Sequence, residues 1–140
     1  MKTDIFVSYR RDNAAAEAHS ITLPPDPIDE DKLTQILEKE LPRWSRFSAP
    51  LPEKPEQVRS EISREFKFDS FQSAINFMSE VAPGCDIASH HPRWENIWKT
   101  LTVFLSTWDG ELHKVTDRDV MLAKYFDRAY GEFAGRSGKN

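Results

Sequence analysis

The stretch Val58-Arg59-Ser60-Glu61-Ile62-Ser63-Arg64-Glu65-Phe66-Lys67-Phe68-Asp69-Ser70-Phe71-Gln72 decides the fold class, because the hydrophobic period changes inside it. Up to Phe68 the even positions Val58, Ile62, Phe66 and Phe68 are apolar while Arg59, Glu61, Glu65 and Lys67 are charged, the alternation of a strand with one wetted face. Beyond it Phe71, Ala74, Ile75, Met78 and Val81 recur at three- and four-residue steps, so the chain turns from strand to helix. Asp69 with Gln72 is expected to cap that helix and Pro83-Gly84 to end it.

On the N-terminal side, Leu33, Ile36, Leu37 and Leu41 mark an amphipathic helix over Asp29 to Leu41, closed by Pro42. A short strand over Arg43 to Leu51 then meets the central strand through the proline-rich turn Pro50 to Pro55, giving a hairpin. On the C-terminal side, Trp94 to Lys99 and Thr100 to Trp108 are rich in aromatic and β-branched residues, as strands are. In the second of these Leu101, Val103 and Leu105 alternate with Thr102, Phe104 and Ser106. Thr116 with Asp119 caps a last helix whose stripe is Leu122, Ala123, Phe126 and Ala129, with Val115 and Val120 as its hydrophobic staple. The order helix, two strands, helix, two strands, helix predicts an α+β fold: a four-stranded antiparallel sheet with helices packed on one face.

A chain of 140 residues supports one domain and one modest core. We expect an N-terminal extension and proline-rich linker over residues 1–28, the domain itself over 29–134, and a flexible tail over 135–140. The formal charge of -4 and the lack of a Lys/Arg cluster exclude a nucleic-acid surface as the main business. Cys85, the one cysteine, cannot form an internal disulfide and reads as a small buried residue. No apolar run approaches the roughly 20 residues of a membrane span. Asp4 and Tyr9-Arg10-Arg11-Asp12 interrupt any signal-peptide pattern after Lys2, so a cytoplasmic protein is expected.

Chemistry concentrates in Asp86-Ile87-Ala88-Ser89-His90-His91-Pro92. Two imidazoles that titrate near neutrality follow a carboxylate and precede a proline that disturbs regular pairing, so both rings can serve one site. Asp86 is placed to hold one imidazole in a useful tautomer. A zinc site built from Asp86, His90 and His91 lacks a fourth ligand, so no metal is expected. Trp94 and Trp98 either stack on a flat ligand or pack in the core, and Trp44 reads as core.

The ordered set Asp86, His90-His91-Pro92, Trp98, Trp108 and Asp117 resembles the signature of the pterin-4a-carbinolamine dehydratases. The likeness extends through Phe66-Lys67-Phe68-Asp69-Ser70-Phe71, Leu105-Ser106-Thr107 and Thr116-Asp117-Arg118-Asp119, and covers roughly Asp31 to Tyr130. It implies the same α+β fold and the loss of water from a 4a-hydroxytetrahydropterin to give quinonoid dihydropterin, with no cofactor. In that reading His90 is the general acid/base, and His91 binds and orients the pterin with a secondary share in proton transfer. Ser89, Ser106, Thr107, Trp108 and Asp109 join them in contacting the substrate. Asp117 and Asp119 read as residues that favour the start of the last helix rather than as catalysts.

Many members of the family carry histidine where this chain has Trp108, and indole donates a hydrogen bond without titrating, so a preference for one C4a epimer is expected. The loop Asp109 to Val115 is longer than the common form, and His113 is a candidate substitute donor there. The resemblance also implies a homodimer or homotetramer and, as the alternative to catalysis, a pterin-binding partner in protein assembly or transcription. Separately, Asp4-Ile5-Phe6-Val7-Ser8-Tyr9-Arg10-Arg11-Asp12 resembles the opening of a bacterial Toll-type receptor domain, whose remaining strands have no counterpart in the chain.

Overall fold

Asp29 takes the N-cap position of the first helix, α1 (Glu30–Lys39), where its carboxylate accepts the Lys32 N–H at 2.8 Å. A computed structural model describes residues 26–109 and 112–137. The Toll-type resemblance and most of the proposed linker fall outside these residues. Leu33, Leu37 and Leu41 are buried, so the predicted stripe of α1 faces the core.

Strands β1 (Ser45–Pro50) and β2 (Val58–Lys67) form the expected hairpin, with Ser45 opposite Ser63 and Pro50 opposite Val58. Helix α2 (Phe71–Ala88) follows, then β3 (Arg93–Ile97) and β4 (Thr100–Leu105), and finally helix α3 (Asp117–Ser137). The sheet order is β1-β2-β4-β3 and all pairings are antiparallel. Ile62, Phe66, Leu101, Val103 and Leu105 are fully buried beneath the helices. Each such side chain contributes about 1.5–3 kcal/mol through burial. Phe66 sits among aromatic rings, with Tyr130 at 5.0 Å, Phe77 at 5.6 Å and Trp44 at 6.1 Å between centroids. The opposite face of the sheet carries the cross-strand row Ser63, Phe104 and Arg93 and, two residues before Ser63, Glu61.

Several local expectations are corrected. The N-cap of α2 is Ser70, whose hydroxyl accepts the Ser73 N–H at 3.0 Å; Asp69 lies one residue too early for that bond. Pro83 does not end α2. It removes one backbone donor, but Val81, Gly84, Cys85 and Ala88 stay on the buried stripe and packing carries the helix on to Ala88. Gly84 is required there, because a Cβ would stand 2.4 Å from the Tyr125 ring of α3.

The predicted strand Thr100 to Trp108 breaks at Ser106, whose hydroxyl donates to the Ser60 carbonyl at 2.6 Å. Beyond the break a separate hairpin forms from β5 (Thr107–Asp109) and β6 (Leu112–Lys114), stitched to β2 by a Val115 N–H to Ser60 Oγ bond of 3.2 Å. At the other end, α3 continues through Gly135 and Arg136 to Ser137, into the segment expected to be a loose tail. Arg136 pairs there with Glu80. The last linker residues also dock: Pro27 bridges to Thr116, and the Ile28 N–H donates to the Val115 carbonyl at 3.2 Å.

Candidate active site

The C-terminal turn of α2 aims the histidine pair. Its C-cap residue, Ser89, adopts a left-handed conformation (φ 52°, ψ 38°) that most helices give to glycine, and the His90 N–H closes back on the Cys85 carbonyl at 3.2 Å. Such a backbone costs a non-glycine residue about 1–2 kcal/mol, and the reversal it makes turns His90 inward and His91 outward.

His90 Nε2 lies 2.6 Å from Asp119 Oδ1, and the Asp119 side chain is fully buried. The other oxygen, Oδ2, accepts the Thr107 hydroxyl at 2.8 Å and the Thr116 N–H at 2.9 Å. A carboxylate accepts only, so the proton of that short bond belongs to His90 Nε2, and Nδ1 is the nitrogen left for a ligand. His90 is partly buried and lines a cavity of about 430 Å³ with Ser89, His91, Ser106, Thr107 and Trp108. Arg118 closes one side. A volume of a few hundred Å³ is that of a small-molecule site.

His91 makes a different contact. Its Nε2 lies 2.9 Å from Asp86 Oδ1, and both side chains are mostly exposed, at 61% and 78%. The carboxylate expected to orient an imidazole thus holds the outer ring, while Asp119, expected only to start a helix, holds the inner one. Its second role arises because the cap consumes one carboxylate oxygen and leaves the other free. The spacing Thr116-x-x-Asp119 was the available signal. Asp117 points elsewhere and accepts the Asp26 N–H at 2.9 Å.

The expected substrate-contacting residues are mostly brought together. Ser89, His90, His91, Ser106, Thr107 and Trp108 share the cavity, but the Ser106 and Thr107 hydroxyls are engaged by Ser60 and Asp119. Asp109 is placed only through its backbone, opposite Leu112 in the β5–β6 hairpin. Trp94 and Trp98 are not on the cavity. Trp94 packs edge-on against Phe126 at 6.3 Å, and Trp98 occupies the β3–β4 turn at φ 53°, 68% exposed. Trp44 is core, as expected.

Trp108 is also 68% exposed, and it covers His113, its cross-strand partner, with ring centroids 3.4 Å apart. Burial, and next the nearby Arg59 guanidinium, push the His113 imidazole below its ordinary pKa. His113 Nδ1 is buried without a hydrogen-bond partner. Cys85 is buried against the core and its thiol is pushed up to about 12 by desolvation, so it is inert. Among the described residues no three His, Cys, Asp or Glu side chains are grouped to hold a metal ion.

The family model for pterin 4 alpha carbinolamine dehydratase matches residues 26–129. The chain belongs to the pterin-4a-carbinolamine dehydratase family. Two of its relatives, from Nitrobacter winogradskyi and Rhodopseudomonas palustris, carry the name "putative pterin-4-alpha-carbinolamine dehydratase". The first is 36% identical over 96 residues, 69% of this chain and 82% of the relative. The second is 34% identical over 108 residues, 77% and 94%. A crystal structure described as a transcriptional coactivator/pterin dehydratase from Brucella melitensis superposes with a TM-score of 0.61 at 26% identity, covering 76% of this chain and all of that one. The family match begins at Asp26, whose backbone carbonyl accepts the Asp117 N–H at the start of α3 at 3.1 Å. No helix among the described residues is long and apolar enough to cross a membrane.

Proposed function

We propose that this dehydratase-family chain removes water from a 4a-hydroxytetrahydropterin to give quinonoid dihydropterin. The observation that carries the proposal is the buried His90–Asp119 pair, at 2.6 Å, on the wall of a cavity of about 430 Å³. In the reaction the C4a–O bond breaks, the hydroxyl takes a proton and leaves as water, and the ring gives up one proton. No net electrons move. Hydroxide is a poor leaving group at neutral pH, so an acid must protonate it, and an imidazole can donate that proton and later collect the one the ring releases.

His90 serves as that acid through Nδ1. Asp119 fixes its tautomer and stabilises the imidazolium form, as a carboxylate does behind a catalytic histidine. His91, at the mouth of the cavity and paired with Asp86, orients the pterin. Because the hydroxyls of Ser106 and Thr107 are committed to protein partners, backbone groups of Ser106 to Trp108 meet the ring's amide edge. Trp108 offers a flat wall and an N–H that does not titrate. Dehydration of chemically generated carbinolamine, compared between the wild-type chain and His90→Ala, tests the reading.

A second reading, a pterin-binding assembly or transcriptional partner, is favoured by the coactivator description of the Brucella structure. Tight pterin binding without acceleration of dehydration would select it. The outer strands β1 and β3 each have one open edge, and Phe47, Ile97 and Trp98 are exposed on or beside them, which supports a homodimer or homotetramer.

A further inference from the structure

The cavity at His90 does not end at His91. On the helix-free face of the sheet it adjoins a second cavity of about 480 Å³, which shares His91, Ser106 and Trp108 and adds Arg59, Glu61 and Arg93. The dehydration chemistry uses none of the added residues, so their arrangement calls for its own account.

The charges there do not cancel. Arg93 Nη2 donates to both carboxylate oxygens of Glu61 at 3.1 Å and its guanidinium lies 3.9 Å above the Phe104 ring, so this pair is matched and braced. His113, on the same wall, is pushed toward its neutral form by burial and by Arg59. Arg59 remains. The residue is partly buried, its guanidinium carbon lies 5.2 Å from the Phe47 ring centroid, and it makes no hydrogen bond or ion pair among the described residues. A partly desolvated guanidinium presents a planar fork of donors that matches a carboxylate or a phosphate. Phe104 and Trp108 add apolar surface to the cavity that Arg59 lines, and Trp108 also lines the His90 cavity.

We infer that the pterin taken by this chain bears an anionic group, a carboxylate or a phosphate, on its ring side chain, with the ring beside His90 and the anion at Arg59. This rests on the dehydratase-family reading of the His90 cavity and adds the substrate class to it.

Fluorescence titration with three oxidised pterins tests the inference: neutral 6-hydroxymethylpterin, its phosphate monoester, and pteroylglutamate. At low salt the wild-type chain should bind at least one anion about tenfold more tightly than the neutral alcohol, and added salt should shrink that gap. The phosphate and carboxylate arms tell which anion is preferred. Arg59→Gln should bring the preferred anion to the affinity of the alcohol, and Arg59→Lys should restore part of the difference; melting temperatures report that both variants fold. Equal affinity for all three ligands in the wild-type chain, or a full preference surviving in Arg59→Gln, overturns the anion site and leaves the pterin reading standing. Failure of the wild-type chain to bind any of the three overturns both.

Discussion

A single buried carboxylate, Asp119, joins His90 to the start of α3: Oδ1 lies 2.6 Å from His90 Nε2 while Oδ2 caps the helix by accepting the Thr116 N–H at 2.9 Å. Asparagine keeps one acceptor for the cap but cannot stabilise an imidazolium. Asp119→Asn is therefore expected to lower kcat by about a hundredfold or more, with KM changed only a few-fold. Asp86→Asn, which alters an exposed pair, should cost less than tenfold, because solvent screens that contact. Steady-state kinetics on both variants, with thermal melts as controls, separate the two carboxylates. A larger loss at Asp86 than at Asp119 would reverse the assignment.

Trp108 lines the same cavity as His90 with an indole, and not with a second acid. Proton delivery is then one-sided, so dehydration should be markedly faster on one C4a epimer. Stopped-flow traces on a mixture of epimers should show two well-separated phases. A single enzyme-accelerated phase consuming both epimers would contradict this.

His113 is expected to stay neutral through the pH range where an ordinary imidazole becomes charged, since burial and Arg59 both hold its pKa down. The unfolded chain binds that proton more readily than the folded one. The contribution of His113 to stability is therefore full above the unfolded-state value near 6.5 and is lost as pH falls through the lower folded-state value. Denaturant unfolding followed from neutral pH downward should fall more steeply for the wild-type chain than for His113→Phe, which keeps a ring against Trp108. Parallel slopes would show that His113 is not the group responsible.

Gly84 lets α2 approach Tyr125 closely, and an added methyl would meet that ring at 2.4 Å. Gly84→Ala should destabilise the fold by about 1–3 kcal/mol, the usual cost of overpacking, with little change in the chemistry of His90. Chemical denaturation measures it. An unchanged midpoint would mean that the helices part easily at this contact.

The strands and helices were legible because their apolar periods are clean: Ile62, Phe66, Leu101, Val103 and Leu105 are buried as their alternation predicts. What was not legible depended on tertiary contacts. Pro83-Gly84 reads as a stop signal, yet the proline costs one hydrogen bond while the glycine lets α2 pack closely on Tyr125 of α3 and the helix continues. The break at Ser106 follows from a hydroxyl reaching Ser60, a residue far away in sequence. In the candidate site, His90 and His91 were conspicuous as a pair, but their separate carboxylate partners were not. Asp86 is near in sequence and takes the outer imidazole, whereas Asp119 arrives from α3 and takes the inner one.

The most direct measurement is the rate of dehydration of 4a-hydroxytetrahydropterin by the wild-type chain and by His90→Ala, at protein concentrations where both bind pterin. The account predicts acceleration well above the buffer rate for the wild type, falling by about a hundredfold or more in the variant. A wild-type rate no faster than buffer, or a His90→Ala rate equal to wild type, would contradict it.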